Sequence, residues 1–179
     1  MKKLKEYIIP FVGMKLGKHQ FEYKIDNEFF GFFDYEDFNS ADVTVRLSLN
    51  KKNTMLELDF EAEGSININC DLTNEPFDQK IDGNLSLVVK FGQEYEEVNE
   101  ELLVLPHGEH EIAVQQYIYE AIVLAVPVKR VHPGVRDGSL ESEALKKLEE
   151  LRPKTAEEKK NTEETDPRWD KLKTLLKDK

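Results

Sequence analysis

The chain has 179 residues, 39% hydrophobic and 34% charged, with a net charge of −11 and a single cysteine, Cys70. That length holds one ordinary domain plus appended structure. A single thiol excludes an internal disulfide, and an acidic body repels phosphate at long range, which disfavours a general nucleic-acid surface. The longest apolar run, Ile118 to Val128, is interrupted by Glu120 and Pro127 and is too short to span a bilayer. Lys2, Lys3 and Lys5 are followed by Lys15, Lys18 and His19 and by no apolar stretch of signal-peptide type. A cytoplasmic protein is therefore expected, with neither membrane nor DNA as partner. The charge is uneven: residues 153–179 carry eight Lys/Arg and seven Asp/Glu, which leaves 17 against 29, net −12, for Met1–Arg152.

In chain order, a first strand is expected around Phe21, Tyr23 and Ile25. Between Asn27 and Phe38 the aromatic run Glu28-Phe29-Phe30-Gly31-Phe32-Phe33-Asp34-Tyr35-Glu36-Asp37-Phe38 resembles a base-stacking platform, but its acids would face the phosphates such a platform must approach. A short helix or turn plugging the sheet is the simpler reading. Next, Val43, Val45, Leu47 and Leu49 alternate with polar residues, as do Leu56, Leu58 and Phe60, then Ile66, Ile68 and Cys70, then Leu85, Leu87, Val89 and Phe91. Period-two alternation puts one sheet face in a core and the other in water. Turn signals separate the runs at Asn50-Lys51-Lys52-Asn53, Glu63-Gly64-Ser65 and Asp82-Gly83-Asn84. Short connections favour antiparallel pairing, so the expected fold is α+β, an antiparallel β-meander or partly closed β-barrel packed with a buried helix and followed by tethered C-terminal helices.

That helix is expected to begin near Glu109–Ile112, with Glu109 and Glu111 at the positive end of its dipole, and to stop before Pro127. Its apolar residues Ile112, Tyr117, Ile118, Ala121, Ile122 and Ala125 cover most faces, so it should lie buried on the sheet. The β-rich core then spans 1–138, with the helix near 111–126. A second helix is expected over 139–152, N-capped by Ser139, with Leu145, Leu148 and Leu151 on one stripe. Residues 153–165 read as a charged linker with almost nothing to bury. Asp166-Pro167 then starts a short amphipathic helix over 166–177 whose apolar residues are Trp169, Leu172, Leu175 and Leu176. A helix that short is marginal alone, so it needs a groove to dock into.

Candidate chemistry is sparse. His107-Gly108-Glu109-His110-Glu111 has the residue types of a metal or acid/base cluster, yet Pro106 and Gly108 point to a turn and no third ligand stands nearby. Cys70 reads as a packed core thiol. No glycine-rich phosphate loop and no nucleophile elbow is present, so no catalytic residues are assigned and an enzyme is not expected. Lys129, Arg130, His132 and Arg136 form a compact basic cluster in an acidic domain. They make either a solvated connecting turn or a contact surface for RNA phosphate or a protein partner.

Three segments in this order resemble the YceD family, a widespread bacterial and plastid family. They are Cys70-Asp71-Leu72-Thr73-Asn74-Glu75-Pro76-Phe77 after an alternating strand, the helix from Glu111-Ile112 to Glu120-Ala121-Ile122-Val123-Leu124-Ala125-Val126-Pro127, and the terminal Asp166-Pro167-Arg168-Trp169-Asp170-Lys171-Leu172. Together they span roughly residues 40–176. The family is associated with accumulation of large-subunit ribosomal RNA, so the resemblance implies a non-enzymatic role in large-subunit biogenesis, with a ribosomal protein and/or large-subunit ribosomal RNA as partner. An acidic protein-only adaptor that never touches RNA is the alternative. Many members carry a Cys-x-x-Cys and a second cysteine pair that suggest zinc. Here Thr73 stands at the second position and Val131–Gly138 holds no cysteine. One thiolate does not build a closed zinc site, so neither metal nor cofactor is expected.

Overall fold

The computed structural model describes residues 5–151, and the chain divides into two compact units, Met1–Leu140 and Glu141–Lys179. The first unit is built on a six-stranded sheet. Its strands are β2 (Gly17–Ile25), β3 (Ser40–Lys51), β4 (Met55–Asn69), β5 (Pro76–Gly92), β6 (Glu96–Asn99) and β7 (Leu102–Pro106). They lie in the order β2-β3-β4-β5-β7-β6, and every pairing is antiparallel except β5 with β7. The fold is thus α+β with a largely antiparallel sheet. The sheet stays open, with β2 and β6 as its edges, and the expected alternative of a partly closed barrel is not formed.

Alternation decides the layers. Val43, Val45, Leu47 and Leu49 of β3, Leu56, Leu58, Phe60, Ile66 and Ile68 of β4, and Leu87 and Val89 of β5 point to one face and are buried. On the other face of β4, Asp59, Glu61 and Glu63 are exposed, as fits an antiparallel sheet with one solvated side. The core face is covered by helix α2 (Gln115–Leu124), the short helix α1 (Asn27–Gly31) and a small two-stranded sheet pairing β1 (Ile8–Ile9) with β8 (Ile112–Ala113).

Two of the expected turns are absent, for one physical reason. At Glu63-Gly64-Ser65 and Asp82-Gly83-Asn84 the chain runs straight on, so β4 has 15 residues and β5 has 17. The glycines serve close approach. A Cβ on Gly64 would lie 2.3 Å from the Asp42 carbonyl oxygen of β3, and one on Gly83 would lie 2.5 Å from Ala125 Cβ and 3.0 Å from the Ala121 carbonyl oxygen of α2. Gly83 pairs with Ala62 across the strands, so small residues make the seat on which the helix rests. The turn expected near Asn50–Asn53 does occur, between Lys51 and Met55.

The α2 helix starts later than its sequence suggests. Ile112 and Ala113 pair with Ile9 and Ile8, and the Val114 N–H donates to the Tyr7 carbonyl oxygen (2.9 Å). These bonds keep the chain extended, so the helix begins at Gln115 with no side-chain cap, and Glu109 and Glu111 lie outside its first turn. The aromatic segment does plug the sheet. Asp26 caps α1 through the N–H groups of Glu28 and Phe29, Phe29 and Phe30 are buried, and Phe33 stacks on Tyr119 of α2 at 4.3 Å and 10°. Phe29, Phe30, Phe33, Tyr35 and Phe38 contact one another or Tyr119, as a plug does, while Phe32 is exposed.

After the short helix α3 (Pro133–Arg136), the second unit contributes helix α4 (Glu143–Leu151). Its cap is Ser142, whose hydroxyl accepts from the Leu145 N–H (3.2 Å). The expected cap, Ser139, donates instead to Asp137 through its backbone N–H and its hydroxyl. Leu148 and Leu151 of the leucine stripe are exposed. The linker over 153–165 and the 166–177 helix with Trp169, Leu172, Leu175 and Leu176 lie outside the described residues. Among the described residues, no helix is long and apolar enough to cross a membrane.

If the helix seat is as tight as the geometry requires, Gly83→Ala overpacks it and lowers stability by about 1–3 kcal/mol. Gly108→Ala, where an added Cβ meets nothing within 4 Å, should change stability by less than about 0.5 kcal/mol. Urea unfolding of the two variants checks this; equal effects would refute the seat.

Candidate functional site

The basic cluster sits on the chain that leaves α2, where two half-buried residues turn inward and two charged ones face out. The Arg130 guanidinium lies 3.7 Å from both Asp37 and Asp71 carboxylates. Its backbone is held as firmly. The Arg130 N–H donates to Asp71 Oδ2 (2.7 Å), and its carbonyl oxygen accepts from the Asp71 N–H (2.7 Å). Arg130 is thereby a latch between the segment after α2, the loop after β4 and the aromatic segment. His132 also turns inward. Its N–H donates to Cys70 Sγ (3.3 Å), its Nδ1 accepts from the Gly134 N–H (2.9 Å) at the start of α3, and its ring meets Phe77 edge-on at 5.5 Å. Lys129 and Arg136 are exposed and take part in no ion pair among the described residues.

Cys70 is buried, as its place at the end of an alternating strand implies. Burial pushes its thiol up. The His132 N–H, the Thr73 hydroxyl and the N–H groups of Leu72 and Thr73 donate to the sulfur and outweigh burial, so the thiol sits below its ordinary value. The loop after β4 is a tight turn, closed by the Asn74 N–H to the Cys70 carbonyl (2.8 Å) and the Cys70 N–H to the Glu75 carbonyl (2.9 Å). Asn74 has a left-handed φ of 58°, a conformation asparagine tolerates better than most residues.

The segments that carry cysteines in the resembling family thus meet in this chain, yet their side chains do not fit zinc. Thr73 offers a hydroxyl to the sulfur, and His132 Nδ1 already accepts a backbone N–H. Among the described residues, no group of three or more His, Cys, Asp or Glu is arranged to hold a metal ion. Hydrogen bonds and the Arg130–Asp71 latch hold together what metal ligands would otherwise join. The histidine segment forms the expected turn, with the Glu109 N–H donating to the Pro106 carbonyl (3.0 Å) and both His107 and His110 exposed.

Sequence reasoning found the basic cluster but missed its anchors, Asp71 and Asp37. Acids are so common in this chain that neither stands out, and only their position opposite Arg130 gives them a role.

A family model described as large ribosomal RNA subunit accumulation protein YceD matches residues 58–176, from within β4 past the end of α4. No curated protein and no solved structure matches the chain.

Two outcomes are expected here. Asp71→Ala removes an acceptor from the part-buried Arg130 and should cost about 1–2 kcal/mol in urea unfolding, whereas Lys129→Ala stays within about 0.5 kcal/mol; equal costs would dissolve the division into anchors and free cations. Protein purified without added metal should carry well under one zinc per chain by elemental analysis. Stoichiometric zinc would contradict the reading of Cys70 and His132.

Proposed function

The chain belongs to the YceD family, the large ribosomal RNA subunit accumulation proteins, and from that premise we propose that it supports large-subunit biogenesis as a binding factor and not as an enzyme. The match over residues 58–176 is the observation that carries this reading. The partner is a ribosomal protein, large-subunit ribosomal RNA, or both. Any RNA contact falls to Lys129 and Arg136, because Arg130 and His132 are already engaged within the fold. Met1–Arg152 as a whole, at net −12, keeps phosphate away elsewhere and orients the molecule. That same charge favours a second reading, a protein-only adaptor in the same pathway.

Depleting the protein should selectively lower large subunits in a ribosome sedimentation profile, with large-subunit RNA falling relative to small-subunit RNA; a balanced profile would overturn the biogenesis role. In binding to ribosomal RNA, Lys129→Glu with Arg136→Glu should weaken association and flatten the salt dependence by about one unit of log–log slope per side chain. If the slope is unchanged, the RNA contact falls and the adaptor reading takes its place.

A further inference from the structure

Between α2 and the β7–β6 end of the sheet lies a groove of about 960 Å³. Its apolar lining includes Leu85 and Leu87 of β5 and Leu102 of β7, and Tyr95 and Tyr117 also line it. Four glutamates are among its lining residues, Glu97, Glu100, Glu101 and Glu120, and no Lys, Arg or His is.

These acids differ from those on the open sheet face. There, Glu63 pairs with Arg46, Glu57 with Lys52, and Asp59 accepts from Ser86. In the groove, Glu97 accepts from the Tyr95 hydroxyl (2.6 Å) and Glu120 from the Gln116 amide (2.7 Å). None of the four makes an ion pair among the described residues. The groove acids add to burial in raising the tyrosine hydroxyls. Burial and then Glu97 push the Tyr95 hydroxyl up to about 12, and burial, Tyr95, Glu97 and Glu120 raise Tyr117 as well. A concave site walled by one sign of charge concentrates the opposite sign. Exposed tyrosine faces accept guanidinium groups, and an apolar floor takes the methylene stems behind them. At the groove's border, β6 is a sheet edge with all its residues exposed, open to a further extended strand.

We propose that this groove is the docking site for an extended, arginine- and lysine-rich protein segment. The inference rests on the biogenesis reading above and deepens it by giving the protein partner a place and a chemistry. RNA is disfavoured as the occupant because its phosphates would enter a groove lined by four glutamates and no basic residue.

The test is fluorescence anisotropy of the full chain with a labelled synthetic peptide of alternating arginine and leucine. Glu97→Gln with Glu120→Gln should weaken binding by about tenfold. Glu61→Gln with Asp82→Asn makes the same charge change outside the groove and should weaken it by less than about twofold. Tyr95→Ala, at a side chain 58% exposed and so tolerant of truncation, should weaken it by about fivefold. Equal losses in the two double variants would mean diffuse charge attraction and overturn the site. So would a single-stranded RNA, or a second copy of the chain, whose binding is lost in the Glu97/Glu120 variant. Depleted cells separate this inference from its premise. If depletion removes large subunits while peptide binding ignores the groove variant, the docking site fails and the biogenesis role stands. If peptide binding depends on the groove while depletion leaves ribosomes normal, the docking site stands and the role fails.

Discussion

The arrangement of the first unit depends on how closely α2 lies on the sheet. The helix has no side-chain cap and few favourable end charges, so burial of its underside must hold it. That burial requires the Ala62–Gly83 pair, since a side chain at position 83 would collide with Ala121 and Ala125. Once seated, the helix distributes the rest of the structure. Tyr119 closes the aromatic cluster with Phe33 and Tyr35, Tyr117 leans over Phe60, and Glu120 and Leu124 reach the acidic groove. The chain leaving its C-terminal end enters the Arg130–Asp71 latch.

That latch shows how one fold region can be held by different means. The resemblance in the sequence implies paired cysteines between these two segments. Here a single thiol remains with donors gathered around it, and reciprocal backbone bonds between Asp71 and Arg130 tie the loop after β4 to the segment after α2. Two of the four basic-turn residues, Arg130 and His132, are engaged within the fold, while Lys129 and Arg136 are exposed and make no ion pair among the described residues.

The period-two strands, the plugging role of Asn27–Phe38 and the buried helix were legible because alternation and apolar spacing report directly on burial. The misreadings have specific causes. Gly64 and Gly83 carry the residue type of a turn, but their purpose is close backbone and helix approach, a property of neighbours distant in sequence. Acidic residues near position 110 suggested a helix start, yet pairing of Ile112–Ala113 with the N-terminal strand overrides local preference. The basic turn was visible as composition, while its division into anchors and free charges was not. The acidic groove was invisible for the same reason, since Tyr95, Glu97 and Glu120 come from separate elements and each is ordinary alone.

The placement of β7 has a further consequence, for how firmly each part of the sheet is held. The chain leaves β5, lays down β6 at the outer edge and only then returns to fill the gap with β7. The β6 strand therefore has β7 as its one sheet neighbour, while β7 bridges β6 and β5. With all four β6 residues exposed and a register irregularity between Glu97 and Asn99, β6 meets the conditions under which an edge strand opens locally, below the free energy of global unfolding. The groove's outer wall is thus a strand with no buried residue, carried on β7, whose Leu103 and Leu105 are packed in the core.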